Sequence, residues 1–250
     1  MSKQFRVVCN WKMNKTISEA VSFVKEIPPL LAPNYIAVPF TALNALASLD
    51  IPMLQIGAQN IYPQPEGAFT GEISAPQVRE AGAEFVIVGH SERRQLFAET
   101  NEFINKKVKA AILHDLLPIL CIGESALDRE NGQAAEVLKT QLLESLKEIE
   151  PKTFRNLGIA YEPVWAIGTG KASTAQSAQE VHFMLRNLIQ EHWGEDEAQE
   201  VFILYGGSVS PDSIEELMKQ PDIDGVLVGG ASLKIKTYSK IIELVRGDLS

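Results

Sequence analysis

Val201-Phe202-Ile203-Leu204-Tyr205-Gly206-Gly207-Ser208-Val209 and Val226-Leu227-Val228-Gly229-Gly230-Ala231-Ser232 share one design: an unbroken apolar run, a pair of glycines, then a serine. A run that is apolar at every position suits a strand covered on both faces, as in a parallel sheet. Similar runs precede them at residues 5–9, 36–38, 53–56, 85–88, 119–122 and 157–161. Helical patterns lie between. Val181, Met184, Leu185, Leu188 and Ile189 form one stripe, and Ile214, Leu217 and Met218, then Tyr238, Ile241, Ile242 and Val245, form others. Ser173, Ser210 and Ser232 are candidate helix caps.

Eight strand-like runs in 250 residues give about 31 residues per unit, the size of a strand–helix repeat. No composition break divides residues 1–250, so the expectation is one domain, an α/β fold closed as a (β/α)8 barrel. An open doubly wound sheet is the alternative.

The chain is 45% hydrophobic and 22% charged, a balance that excludes disorder and fibrous folds. Its formal charge is −9, which argues against a nucleic-acid surface; an anionic small molecule would need a locally positive site, expected at the barrel mouth. No segment reaches the roughly 20 apolar residues of a membrane span, and the start lacks a signal-peptide pattern, so the expectation is a cytoplasmic protein. Cys9 and Cys121 sit in apolar runs and read as buried thiols. No His/Cys/Asp cluster has metal spacing, and neither a metal nor an organic cofactor is expected.

The chemistry-bearing residues follow the strands. Asn10 and Lys12 come after the first, His90 and Glu92 after the fourth, Glu162 after the sixth, and the glycine pairs after the last two. In a barrel these ends make one face, where its active sites are built. Each glycine pair lets backbone N–H groups approach an anion, and their joint position after strands seven and eight is where such barrels hold phosphate. The second pair also opens a short helix, whose N-terminus favours negative charge.

Glu162 stands at the root of Pro163-Val164-Trp165-Ala166-Ile167-Gly168-Thr169-Gly170-Lys171, which reads as a lid, or else as a packed surface loop with Trp165 as filler. A carboxylate under an apolar flap loses solvation and becomes a stronger base toward a carbon acid. His90 enters a helix whose N-terminus disfavours imidazolium, so it should be a neutral hydrogen-bond donor, with Lys12 supplying positive charge. Glu92 is the competing base, but Arg93 and Arg94 beside it point to an ion-pair role. His114, His182 and His192 read as helix or surface residues. The long segment 58–72 carries Ile61, Tyr62 and Phe69, an apolar patch suited to self-association or to folding back on its own barrel.

Asn10-Trp11-Lys12-Met13-Asn14, Gly71-Glu72-Ile73-Ser74, Gly89-His90-Ser91-Glu92-Arg93-Arg94, Cys121-Ile122-Gly123-Glu124, Ala160-Tyr161-Glu162-Pro163-Val164-Trp165-Ala166-Ile167-Gly168-Thr169-Gly170 and the two glycine segments occur in this order. Together they resemble the triosephosphate isomerase family from residue 10 to residue 232. The resemblance implies interconversion of dihydroxyacetone phosphate and D-glyceraldehyde 3-phosphate through an enediolate, in glycolysis and gluconeogenesis. It implies Glu162 as the base that moves the proton, His90 as the electrophile and Lys12 as its charged partner. A glutamate base facing a neutral histidine under a closing loop is the arrangement this family is known for. By the same resemblance Asn10, Trp11 and Lys12 orient substrate, and Gly168, Ser208, Gly229 and Gly230 contact its phosphate. A homodimer is implied, with the loop around Thr70 reaching toward the neighbour's Asn10 and Lys12. Lys15 departs from the family pattern, standing where many members have glycine; Val38-Pro39-Phe40 and Lys171-Ala172-Ser173 are smaller departures. Another phosphosugar enzyme on the same barrel, or a barrel kept only for interaction, are the alternatives.

Overall fold

The computed structural model describes residues 5–166 and 173–247. Among them the strands are β1 (Arg6–Asn10), β2 (Asn34–Val38), β3 (Leu54–Ala58), β4 (Phe85–Val88), β5 (Leu117–Ile122), β6 (Gly158–Tyr161), β7 (Phe202–Tyr205) and β8 (Gly225–Val228). They pair in parallel in sequence order, and β1 also pairs with β8, which closes the sheet into a barrel. The open-sheet alternative is therefore excluded.

Alternate residues of each strand face opposite ways. Inward-facing Val8, Tyr35, Ala37, Phe85, Ile87, Ile119, Cys121, Ala160, Phe202, Leu204 and Leu227 form one cluster that fills the lumen. Outward-facing Val7, Cys9, Ile36, Val38, Val86 and Val88 join a larger cluster with the surrounding helices. This double burial is why the runs are apolar without alternation. Two glycines make room inside: a Cβ on Gly57 would enter the Phe85 ring, and one on Gly158 the Phe202 ring.

The helices that matter for the site are α1 (Ile17–Lys25), α2 (Phe40–Ala47), α3 (Ala75–Glu80), α4 (Ser91–Leu96), α5 (Asn101–Leu113), α6 (Ala126–Glu130), α7 (Ala134–Ser145), α8 (Ala175–Trp193), α9 (Glu195–Glu200), α10 (Pro211–Met218) and α11 (Ile235–Gly247). The expected stripes bury Leu185 and Ile189 on α8, Ile214 and Leu217 on α10, and Tyr238, Ile241, Ile242 and Val245 on α11. Ser210 caps α10, but α8 starts one residue later than expected, on Thr174. Ser232 lies inside a 3-10 helix, Gly230–Leu233, and its hydroxyl donates to Gly229 O (2.7 Å) and Val228 O (3.2 Å).

Of the two readings of the segment after β3, folding back describes its buried start. Ile61 is fully buried, and Tyr62 is tied back by a hydrogen bond to Ile73 O and a ring contact with Phe69 at 4.4 Å. Phe69 and Thr70 stay exposed. His182 is buried on α8 against Tyr161. Both cysteines are free and buried.

Candidate active site

Asn10, Lys12, His90, Glu162, Ser208, Gly229 and Gly230, drawn from five strand ends, line one cavity of about 290 Å³. That is at the lower limit of ligand pockets, which run roughly 300–1,000 Å³, and suits a molecule of triose size better than a nucleotide.

Glu162 follows β6 and is 1% exposed. Its backbone N–H continues the sheet to Ile122 O (2.8 Å), so the barrel itself fixes the main chain at this point. One carboxylate oxygen accepts from Ser91 N (2.9 Å); the other accepts from Ser91 Oγ (3.1 Å) and lies 3.0 Å from His90 Nε2. Ser91 opens α4 and escaped the sequence reading, because nothing local marks a serine as the partner of a carboxylate 71 residues away.

His90 is the N-cap of α4, and its Nδ1 accepts from Glu92 N at 3.2 Å. With Nδ1 accepting, Nε2 is the ring nitrogen left to donate, and it is directed at Glu162.

Lys12 has φ +52°, a left-handed conformation that a side chain adopts only under constraint. Two polar side chains hold it. Asn10 Oδ1 accepts from Lys12 N (3.0 Å), and Gln59 Nε2 donates to Lys12 O (2.9 Å) and Ala37 O (3.1 Å). The Lys12 ammonium pairs with Glu92 Oε1 at 2.6 Å. Glu92 is accordingly an ion-pair partner, but of Lys12 rather than of its neighbours. Arg93 turns to Glu99 (2.5 Å), and Arg94 bonds Gly89 O, Asn101 and Cys121 O, joining the ends of β4 and β5. Burial lowers the Arg94 pKa.

Lys12 shares the cavity wall with Glu162 and is paired with Glu92. Attraction for an anion has to come from aimed donors rather than from net charge. Trp11 also falls outside the cavity: its side chain is fully buried and packs edge-on against Phe23 at 5.1 Å. Gly168 lies outside the described residues.

The start of the loop after Glu162 is a short 3-10 helix, Val164–Ala166, and Trp165 in it is no mere filler. Buried Glu124 accepts from Tyr161 OH (3.0 Å) and Trp165 Nε1 (2.8 Å), with Arg129 at 3.3 Å and stacked over the Trp165 ring. Burial, with Glu124 alongside, raises the Tyr161 pKa strongly. Behind the base, burial and the Glu162 charge hold the Cys121 thiol well above its ordinary range. Gln141 grips Gly123 through both backbone groups (2.8 and 3.1 Å). Among the described residues no group of three or more His, Cys, Asp and Glu side chains is placed to hold a metal ion, and no helix is long and apolar enough to cross a membrane.

The family model for triosephosphate isomerase matches residues 5–245. The chain belongs to the triosephosphate isomerase family. It is 48% identical to the triosephosphate isomerase of Chloroflexus aurantiacus, over 93% of this chain and 96% of that protein. It is 49% identical to that of Caldanaerobacter subterraneus subsp. tengcongensis, with 93% and 96% covered. Identity to the Protochlamydia amoebophila protein is 47%, with 93% and 90% covered. The motif resemblance seen in separate segments thus extends over nearly the whole chain.

Proposed function

We propose that this protein interconverts dihydroxyacetone phosphate and D-glyceraldehyde 3-phosphate, with Glu162 as the single base. Glu162 takes the proton from C1 of the ketone while His90 Nε2–H donates to the carbonyl oxygen, giving an enediolate. Glu162 then returns the proton to C2 while His90 relays the hydroxyl proton from O1 to O2, so that O1 becomes the aldehyde oxygen and O2 the new hydroxyl; the reverse path retraces these transfers. Lys12 stabilises the negative charge that develops on oxygen, and its exchange of Glu92 for substrate places an ammonium in the cavity. Asn10 and Gln59 keep that lysine in place. Ser208, Gly229 and Gly230 offer backbone N–H groups to the phosphate, joined by Gly168 of the lid segment.

The observation that carries this reading is the 3.0 Å approach of Glu162 to His90 inside a cavity walled by the glycine pairs. The carboxylate now held by Ser91 has to turn toward a bound substrate, which closure of the following loop can drive while excluding water.

One barrel domain accounts for the whole chain, and the assembly is a homodimer. Exposed Met13, Phe69, Leu96 and Phe97, on the segments after β1, β3 and β4, are the apolar surface available for it around Thr70. The two buried free thiols suit a reducing cytoplasm. Turnover of glyceraldehyde 3-phosphate by purified protein, coupled to NADH-dependent reduction of the ketone product, tests the proposal. A folded protein without turnover would defeat it.

A further inference from the structure

Lys15 lies in the loop between β1 and α1 with φ +71°. A side chain in the left-handed region is strained where glycine is not, so its presence here calls for contacts that offset the strain. There are three. The Lys15 ammonium lies 4.4 Å from the Phe23 ring centroid and 5.2 Å from that of Trp11, and Nζ donates a 3.0 Å hydrogen bond to Leu233 O.

Leu233 is the last residue of the 3-10 helix Gly230–Leu233, whose first residue lines the cavity with Gly229. The C-terminal carbonyl of a helix lacks an internal partner, and an ammonium group satisfies it. Over a single turn, fixing one end also fixes the other. Ser232 stiffens that turn from inside, through its amide and hydroxyl bonds to Gly229 O. The loop after β1 therefore ties this segment at Leu233 through Lys15 and passes beside its other end, where a Cβ on Gly229 would lie 3.8 Å from Lys12 Cε.

We propose that Lys15 is a positioning residue that locks the Gly229–Gly230 segment in register with Lys12, so that phosphate binding and the oxyanion-facing ammonium share one rigid frame. The proposal rests on the phosphate role given to that segment above. It concerns Lys15 alone, which lies outside the cavity and touches no substrate.

The test compares the parent protein with Lys15→Met, Lys15→Gly and Lys15→Arg, using inorganic phosphate as the probe. Binding is measured by calorimetry, amide exchange over residues 229–233 by mass spectrometry, and kcat and KM with the triose phosphate. Lys15→Met keeps the stem over the rings but loses the donor, and Lys15→Gly relieves the backbone and guards against misfolding. Both are expected to weaken phosphate binding about fivefold, to raise KM by a similar factor with kcat within about twofold, and to speed exchange in residues 229–233. Lys15→Arg, which keeps charge and donor, is expected to restore most of the affinity. Phosphate affinity within about twofold of the parent in both Lys15→Met and Lys15→Gly would overturn the proposal. So would unchanged exchange in residues 229–233, or an arginine variant as weak as the methionine one. Because phosphate binding needs no turnover, absence of isomerase activity in the parent would count against the proposed function and leave this test standing.

Discussion

Gly123→Ala should disable the enzyme while leaving it folded. A Cβ at this position would stand inside van der Waals contact of the Glu162 carbonyl oxygen, 2.9 Å from its carbonyl carbon and 3.1 Å from Glu162 Cβ. Carbon atoms in unstrained contact are about 3.5–4.0 Å apart, so relief requires the two backbones to separate by roughly an ångström once the closer oxygen is counted. Gly123 cannot retreat freely, because Gln141 grips both its N–H and its carbonyl. The clash therefore strains the Glu162 N–H bond to Ile122 O as well, and the main chain of the base is pushed out of its barrel-set position. Overpacking of this kind costs about 1–3 kcal/mol, less than the roughly 5–15 kcal/mol by which a domain is stable. Displacing a reacting group by about 1 Å, in contrast, costs on the order of 100-fold in rate. The coupled assay should therefore show kcat reduced about 100-fold with a native circular-dichroism spectrum and a modest fall in Tm. A folded variant whose kcat stays within about threefold of the parent would refute the reasoning.

Other outcomes follow from the same structure. Met13 is 96% exposed, so Met13→Asp should leave the protomer's folding untouched yet shift sedimentation from dimer to monomer; an undiminished dimer would remove this surface from the interface. Lys107 is buried between Glu99 (2.5 Å) and Asn60 (2.6 Å), and Lys107→Met leaves Glu99 to Arg93 alone. Urea unfolding should show a loss of about 3 kcal/mol, and a loss below about 1 kcal/mol would contradict the account of a buried pair. Burial pushes the Cys9 thiol up to about 12 and the Tyr205 hydroxyl up to about 12. Both keep their protons in the folded state after the unfolded chain has lost them, so their contribution is complete below about pH 9 and declines toward pH 12. Chemical denaturation across that range should show falling stability, and iodoacetamide at about pH 8.5 should label neither cysteine until the protein is unfolded.

The barrel was legible because each strand is buried on both faces and so is written as an uninterrupted apolar run. Observed strand ends moved by only one or two residues at most positions, as with Gly158–Tyr161 against the expected residues 157–161. The catalytic candidates were legible by position, since they all follow strand ends. What the sequence hid were contacts between distant loops. Gln59 supports Lys12, Ser91 holds Glu162, and Glu124 anchors Trp165, yet each is a common polar residue whose partner is set by the closed barrel. Glu92 is the ion-pair partner expected, but its partner is Lys12 rather than its neighbours, because successive residues of a helix point in different directions. Arg93 and Arg94 therefore face Glu99 and Cys121 O, while Glu92 meets Lys12. For Ile61 the folding-back reading of the long apolar segment after β3 holds: the chain returns through the Tyr62–Ser74 bridge and buries it, a contact set by distant residues that the sequence does not mark.

The role of Glu162 is tested most directly by running the reaction in D2O with the parent protein and with Glu162→Gln, while checking that both bind a phosphorylated enediolate mimic. The parent should form product carrying solvent deuterium at the carbon that receives the proton. Glu162→Gln should bind the mimic yet lose turnover and deuterium incorporation by several orders of magnitude. Near-parental turnover with normal deuterium incorporation in Glu162→Gln would contradict the account and transfer the proton to another base, with Glu92 the first to examine.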